Sequence, residues 1–175
     1  DFLNLQSKFM VCNEYLPPII DLLAARYRTK RRFLYDFTSL HMFVVTQRCN
    51  NECTYCHASS LDENISQKYD MDVKTARKCV DLAFNSPSQH IKIEFQGGEP
   101  LLAFETVKNI VEYSQELNET AKKDLDFVIC TNLTAITSAQ MDYLKENNIF
   151  ISTSFDGPHE IHDACRKTRR GTGTY

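Results

Sequence analysis

HMFVVTQRCNNECTYCH, residues 41–57, joins a short apolar run to three cysteines and a histidine. Residues 41–46 are rich in β-branched and aromatic side chains, which suit a pleated sheet, so the run reads as a strand. Directly after it come Cys49, Cys53 and Cys56, with His57 beside the last. A cluster of potential metal ligands in the loop after a strand sits where β/α barrels build their active face.

Working outward, IKIEF (91–95) alternates and reads as a second strand, LDFVIC (125–130) as a third and FISTSF (150–155) as a fourth. Between these runs the apolar spacing becomes helical. Val73, Ala76, Cys79, Val80, Ala83 and Phe84 share one helix face, and Phe104, Val107, Ile110, Val111 and Leu117 another. Thr137 to Gln140 matches a capping box and opens a third helix carrying Met141 and Leu144. Strand alternating with helix predicts βαβ units and a parallel sheet, an α/β fold. Four strands do not close a barrel. Residues 41–175 are therefore expected to be the N-terminal part of a larger barrel domain, in a chain that is a fragment. Residues 1–40 precede it as an N-terminal extension. There Pro17 and Pro18 break the chain, and IIDLLAARY (19–27) is expected as a short amphipathic helix with Ile19, Leu22 and Leu23 on one side. No chemistry is assigned to it.

Composition narrows the class. Hydrophobic residues at 42% and charged residues at 25% match a globular protein. No apolar run approaches the ~20 residues that cross a bilayer, so no membrane is expected. A net charge of −3 gives no sign of nucleic-acid binding. The basic run Arg26, Arg28, Lys30, Arg31, Arg32 reads as a solvated face. Of seven cysteines, Cys12, Cys79, Cys130 and Cys165 are scattered singly. Scatter plus one cluster points to a reducing, cytoplasmic compartment and a metal site, not a disulfide framework. The chain opens on Asp1, which leaves room for a removed leader.

Three groups compete for the clustered cysteines. Structural zinc wants four ligands, typically from two separated knuckles, and no second CxxC pair exists. Cys53-Thr-Tyr-Cys56-His57 is literally a C-x-x-C-H haem-attachment pattern, yet it leaves Cys49 unexplained and needs export. A cubane iron–sulfur cluster usually takes four cysteines. Three would leave one iron open to a substrate or cofactor.

CNNECTYC resembles the C-x3-C-x-aromatic-C motif of radical S-adenosylmethionine (SAM) enzymes, with Tyr55 at the aromatic position. Gln96-Gly97-Gly98-Glu99-Pro100 follows the second strand, where that family carries GGEP. Thr131-Asn132 follows the third. Ser154-Phe155-Asp156-Gly157-Pro158 follows the fourth and is similar to the S-x-DGP of the sulfatase-maturase-like branch, the SPASM-type peptide maturases. The resemblance spans residues 41–175. LAARYRTKRRFL, LHMFVVTQRCN and IKIEFQGGEPLLAF together are similar to the maturases of the His-Xaa-Ser peptide system, which would draw residues 1–40 into the pattern as well.

The resemblance implies a partial radical SAM (β/α)6 barrel of which about four units are present. It implies a [4Fe-4S] cluster on Cys49, Cys53 and Cys56, with SAM chelating the remaining iron. Reductive cleavage of SAM would give a 5′-deoxyadenosyl radical that takes hydrogen from a ribosomally made peptide or a protein. An electron donor such as flavodoxin or ferredoxin is then required. Gly97 and Gly98 would let backbone approach the ligand, and Pro100 completes that motif. Glu99 would accept from the SAM ammonium, Ser154 would bond the ribose, Tyr55 would stand near the adenine, and Asn132 would point to the same site. Arg166, in a His162-Asp163-x-x-Arg166 pattern, would meet a carboxylate. Asp156 is either catalytic or polar wiring. Taken alone, Gly97–Pro100 and Asp156–Pro158 are ordinary turn chemistry, and Thr131-Asn132 is a cap or turn. His57 reads as a surface or supporting residue, and the other histidines read as structural or exposed. Cys130, at a strand end, is the scattered thiol nearest the site. The competing expectations are a cluster- and SAM-binding module without turnover, and an electron-transfer iron–sulfur protein.

Overall fold

A computed structural model describes residues 1–8, 10–11, 17–36 and 38–175. Cys12 lies outside the described residues. The chain divides into two units, Asp1–Phe37 and Thr38–Tyr175.

The first unit contains α1 (Phe2–Ser7), α2 (Pro17–Lys30) and a 3₁₀ turn, Arg32–Asp36. The two prolines open α2 instead of breaking the chain. Proline suits a first helical turn because the N–H it lacks would have no helical partner there. The helix runs beyond the expected nine residues and buries none of its side chains. Leu22 is exposed, Ile19 and Leu23 are half-buried, and the basic run through Arg32 faces solvent.

The second unit holds β1 (Leu40–Thr46), β2 (Arg48–Cys49), β3 (Leu61–Asp62), α3 (Val73–Phe84), β4 (His90–Gly97), α4 (Phe104–Ala121), β5 (Asp124–Thr131), α5 (Ser138–Glu146), β6 (Ile149–Thr153) and α6 (His159–Cys165). Four strands form one sheet in the order β1-β4-β5-β6. Every pairing in it is parallel, as alternating strands and helices require. A separate short pair, β2–β3, is also parallel and lies outside the four sequence runs that read as strands. The fourth strand stops at Thr153, two residues early. There the backbone turns: the Asp156 N–H donates to His162 Nδ1 at 3.3 Å, and Gly157 takes φ +111°.

One face of the sheet builds the core. Phe43, Val45, Ile91, Ile93, Phe95, Phe127 and Ile129 pack against Ala76, Val80 and Ala83 of α3, Val107, Ile110 and Val111 of α4, and Leu144 of α5. Phe95 and Phe127 stack with centroids 6.1 Å apart. Val73, expected on the buried face of α3, is exposed; it lies in the first turn, where Asp72 caps the helix through Thr75 N. The capping box is present as read: Thr137 Oγ1 accepts from Gln140 N at 3.2 Å, and Gln140 Oε1 accepts from Thr137 N at 3.0 Å. On the opposite sheet face Met42, Val44 and Phe150 are exposed. Among the described residues no helix is long and apolar enough to cross a membrane.

Candidate active site

The cysteine loop leaves β2 and returns in β3, which closes it at its base by pairing Arg48 with Leu61 and Cys49 with Asp62. Arg48 locks that base. Its guanidinium donates twice to Asp70, Nε to Oδ1 at 2.8 Å and Nη2 to Oδ2 at 2.6 Å. It also donates to the carbonyls of Glu63 (2.9 Å) and Leu102 (3.0 Å). One nearly buried side chain therefore joins the loop to the segment after β4. Planar geometry is what lets arginine do this; lysine could not. Burial pushes the Asp70 carboxyl up, but the hydrogen bonds from Arg48 and Thr46 outweigh it and hold the group below its ordinary value. Arg169 ties the loop from the C-terminal side, donating to Cys49 O at 3.0 Å and Ser60 O at 2.7 Å. Neither arginine carried a sequence signal beyond its charge.

The glycine pair is explained first by the protein itself. Gly98 N donates to Thr46 O and Glu99 N to Arg48 O, so the end of β4 runs against the entry to the cysteine loop. A Cβ on Gly97, which has φ +152°, would lie 2.2 Å from Thr46 O; one on Gly98 would lie 2.2 Å from Arg48 O. Both neighbours are backbone and cannot swing aside. Gly98→Ala is expected to cost about 1–3 kcal/mol, the range for overpacking, read as a lowered urea midpoint with an unchanged slope.

Glu99 follows, 1% exposed. Oε1 accepts from Thr131 Oγ1 (2.7 Å) and Leu101 N (3.1 Å), and Oε2 from Asn132 N (2.8 Å). Burial raises its pKa, and these donors oppose the rise. The carboxylate is thus fixed by the ends of β4 and β5 and still borders the cavity. Pro100 is buried at the first position of a 3₁₀ turn, Pro100–Ala103, and is not among the cavity-lining residues.

The cavity, ≈ 320 Å³, is lined by all three clustered cysteines and by Tyr55, Gly97, Gly98, Glu99, Asn132, Ser154 and Arg166. Residues from the ends of four successive strands meet there, as the alternating fold dictates. Arg166 Nη1 donates to Tyr55 Oη at 2.8 Å, and Tyr55 in turn donates to Asp156 Oδ2. Asp156, which accepts from Tyr55, is not among the lining residues. His162, buried, holds that loop through Asp156 N and Thr174 Oγ1. Asn51, His57, Ser60, Gln96, Cys130 and Ser152 also line the cavity. Of these, Asn51, His57 and Gln96 lie inside the quoted motifs, and the two amides carry no charge that would mark them.

The thiols differ. Burial raises the pKa of Cys49 and of Cys53, the latter against the opposing charge of Arg166. Burial also acts upward on Cys56, but hydrogen bonds from Ser60, Ala58 and Ser59 win, and its pKa falls. Cys130 is pushed up to about 11 by burial and by Glu94, to which its Sγ donates at 3.4 Å. Cys49 Sγ accepts from Asn51 N at 3.4 Å and Asn132 Nδ2 at 3.8 Å, contacts that favour a sulfur carrying negative charge. Among the described residues no three His, Cys, Asp or Glu side chains converge as ligands of a single ion. A cubane spreads its irons over separate corners, so three soft sulfur donors around one cavity fit an iron–sulfur cluster.

The profile of the Radical SAM superfamily matches residues 43–175, and the chain belongs to that superfamily. An uncharacterized protein of Methanocaldococcus jannaschii is 38% identical over 127 residues, which is 73% of this chain and 41% of that protein. The cysteine-type anaerobic sulfatase-maturating enzyme of Clostridium perfringens is 33% identical over 140 residues, 78% of this chain and 38% of the enzyme. A solved structure of anSMEcpe with bound AdoMet and the Cp18Cys peptide aligns with a TM-score of 0.64 at 29% identity, over 77% of this chain and 35% of that one. The chain thus lies in the sulfatase-maturase-like branch and shares its parallel α/β fold. It spans well under half the length of these relatives.

Proposed function

We propose that Cys49, Cys53 and Cys56 hold a [4Fe-4S] cluster and that the remaining cavity holds SAM, for the modification of a peptide or protein side chain. One observation carries this reading: three cysteines, a glycine-glutamate turn, Asn132, Ser154 and Arg166 border one cavity. When bound, the cluster supplies the electron that cleaves the sulfonium of SAM reductively. This chain's residues bind and orient. Arg166, anchored by Tyr55, offers its charge to a carboxylate of SAM or substrate. The backbone of Gly97 and Gly98, which lines the cavity, would hold the methionine end. Glu99, already held by Thr131, Leu101 and Asn132, would accept a further hydrogen bond from the SAM ammonium. Ser154 bonds the ribose, Tyr55 packs by the adenine, and Asp156 keeps Tyr55 in place.

The relative that holds a peptide in its solved structure supports a peptide substrate. The segments similar to His-Xaa-Ser system maturases support a ribosomally made one. A reducing cytoplasm with a flavodoxin- or ferredoxin-like donor suits an oxygen-sensitive cluster. The test is anaerobic reconstitution, reduction with dithionite, addition of SAM and chromatography for 5′-deoxyadenosine. Product formation is expected. A cluster that forms without SAM cleavage favours a binding or electron-carrying module, and a preparation holding zinc alone overturns the reading.

A further inference from the structure

Asn51 lies midway between Cys49 and Cys53, 1% exposed, and borders the same cavity. Its backbone N–H donates to Cys49 Sγ, and the bridge to Thr168 is closed by its neighbours, Glu52 N donating to Lys167 O and Arg169 N to Asn50 O. Its side-chain oxygen lies 3.5 Å from Thr134 Oγ1, whose hydrogen goes to Asn132 Oδ1 at 2.7 Å. Its side-chain nitrogen has no partner among the described residues. Native proteins rarely leave a buried amide N–H unpaired, and such a group asks for an acceptor that the polypeptide does not supply. The polar groups nearest in sequence do not supply it. Asn50 Oδ1 is taken by Asn132 Nδ2, and Cys49 Sγ already accepts from two other nitrogens.

We propose that the Asn51 amide is a hydrogen-bond donor to a sulfur of the bound cluster and raises the cluster's reduction potential. The inference rests on the cluster reading above. Reduction adds negative charge to the cluster, and an N–H that donates to sulfur stabilises that extra charge. Hydrogen bonds to the sulfurs are among the terms that set cluster potentials. Asn51 would therefore make the cluster easier to reduce, the step on which SAM cleavage depends. It is a tuning residue and not a ligand.

The test is Asn51→Leu, close in size and without the donor. Parent and variant are reconstituted, and iron per chain, melting temperature and the midpoint potential are measured, the last by potentiometry followed by electron paramagnetic resonance without SAM. The expected result is parental iron content with a midpoint moved to more negative potential. A tenfold fall in the reduced-to-oxidised ratio at fixed potential corresponds to a shift of 59 mV for one electron. A purely structural Asn51 would lower iron content or melting temperature and leave the midpoint in place, which overturns the proposal. Asn51→Ala, which adds no bulk, gives the same reading if the leucine variant takes up no cluster. If both variants fold yet hold no iron, Asn51 serves assembly and the tuning role is overturned. A parent that takes up no cluster refutes the functional reading instead.

Discussion

Cys56→Ala is expected to lower 5′-deoxyadenosine formation by more than about 100-fold, beyond the 10–100-fold typical of losing a residue that only supports a metal ligand. Cys56 is the clustered thiol most ready to ionise, because hydrogen bonds from Ser60, Ala58 and Ser59 outweigh its burial. A thiolate, not a thiol, is the metal ligand. Its removal leaves two cysteines for a cluster that the reading gives three. Iron per chain should fall with activity, while the circular dichroism of the sheet and helices stays parental, because Cys56 is not part of the packed core. Cys79→Ala, on α3 and remote in sequence from the loop, is the control and should keep its iron. Parental iron and turnover in Cys56→Ala would remove it from the ligand set.

Arg48→Met is expected to destabilise the protein by about 3–5 kcal/mol, the cost of breaking a buried ion pair from one side. The pair's side chains are 9% and 16% exposed. Without the guanidinium, Asp70 keeps only Thr46 Oγ1 among its hydrogen-bond donors, and the carbonyls of Glu63 and Leu102 lose theirs. Replacing both partners, as Arg48→Met with Asp70→Leu, should recover much of the loss, since an apolar pair leaves no stranded charge. The pH dependence has a definite sign. In the parent, Asp70 has a folded pKa below its ordinary value, so its contribution is complete above that value and is lost as pH falls through the folded pKa. In Arg48→Met, burial acts without its main opponent and the folded pKa rises. The carboxylate then destabilises at neutral pH, and protonation relieves it. The gap between parent and variant should narrow as the solution is acidified, measured by urea unfolding at each pH. A constant gap would show that the arginine acts by packing alone.

The period of the apolar residues determined the fold class. Residues 91–95 alternate, and that alternation alone puts Ile91, Ile93 and Phe95 on the buried face, where they are found. Parallel pairing followed from the helices between the strands. Helix starts are legible where a capping pattern exists, as at Thr137, and are ambiguous at Pro17 and Pro18, because proline both breaks chains and opens helices. The cavity's main groups were also legible, because a parallel sheet delivers every strand's carboxyl end to one side. Cys49, Glu99, Asn132 and Ser154 had to become neighbours once their strands paired in register.

Tertiary structure alone decided the rest. Side-chain wiring depends on distances between residues that are far apart in the chain, and no periodicity encodes those. Arg48 finds Asp70, Arg169 finds Cys49 O, and Tyr55 finds Arg166 and Asp156 only after the loops fold back. The glycine pair shows the same division. Its presence in the sequence marked a close approach, but the neighbour that demands it, the backbone of Thr46 and Arg48, appears only when β1 and β4 lie side by side. Asn51 sat within the opening motif as an ordinary polar residue; burial and an unpaired nitrogen, which are properties of the packed protein, gave it a role.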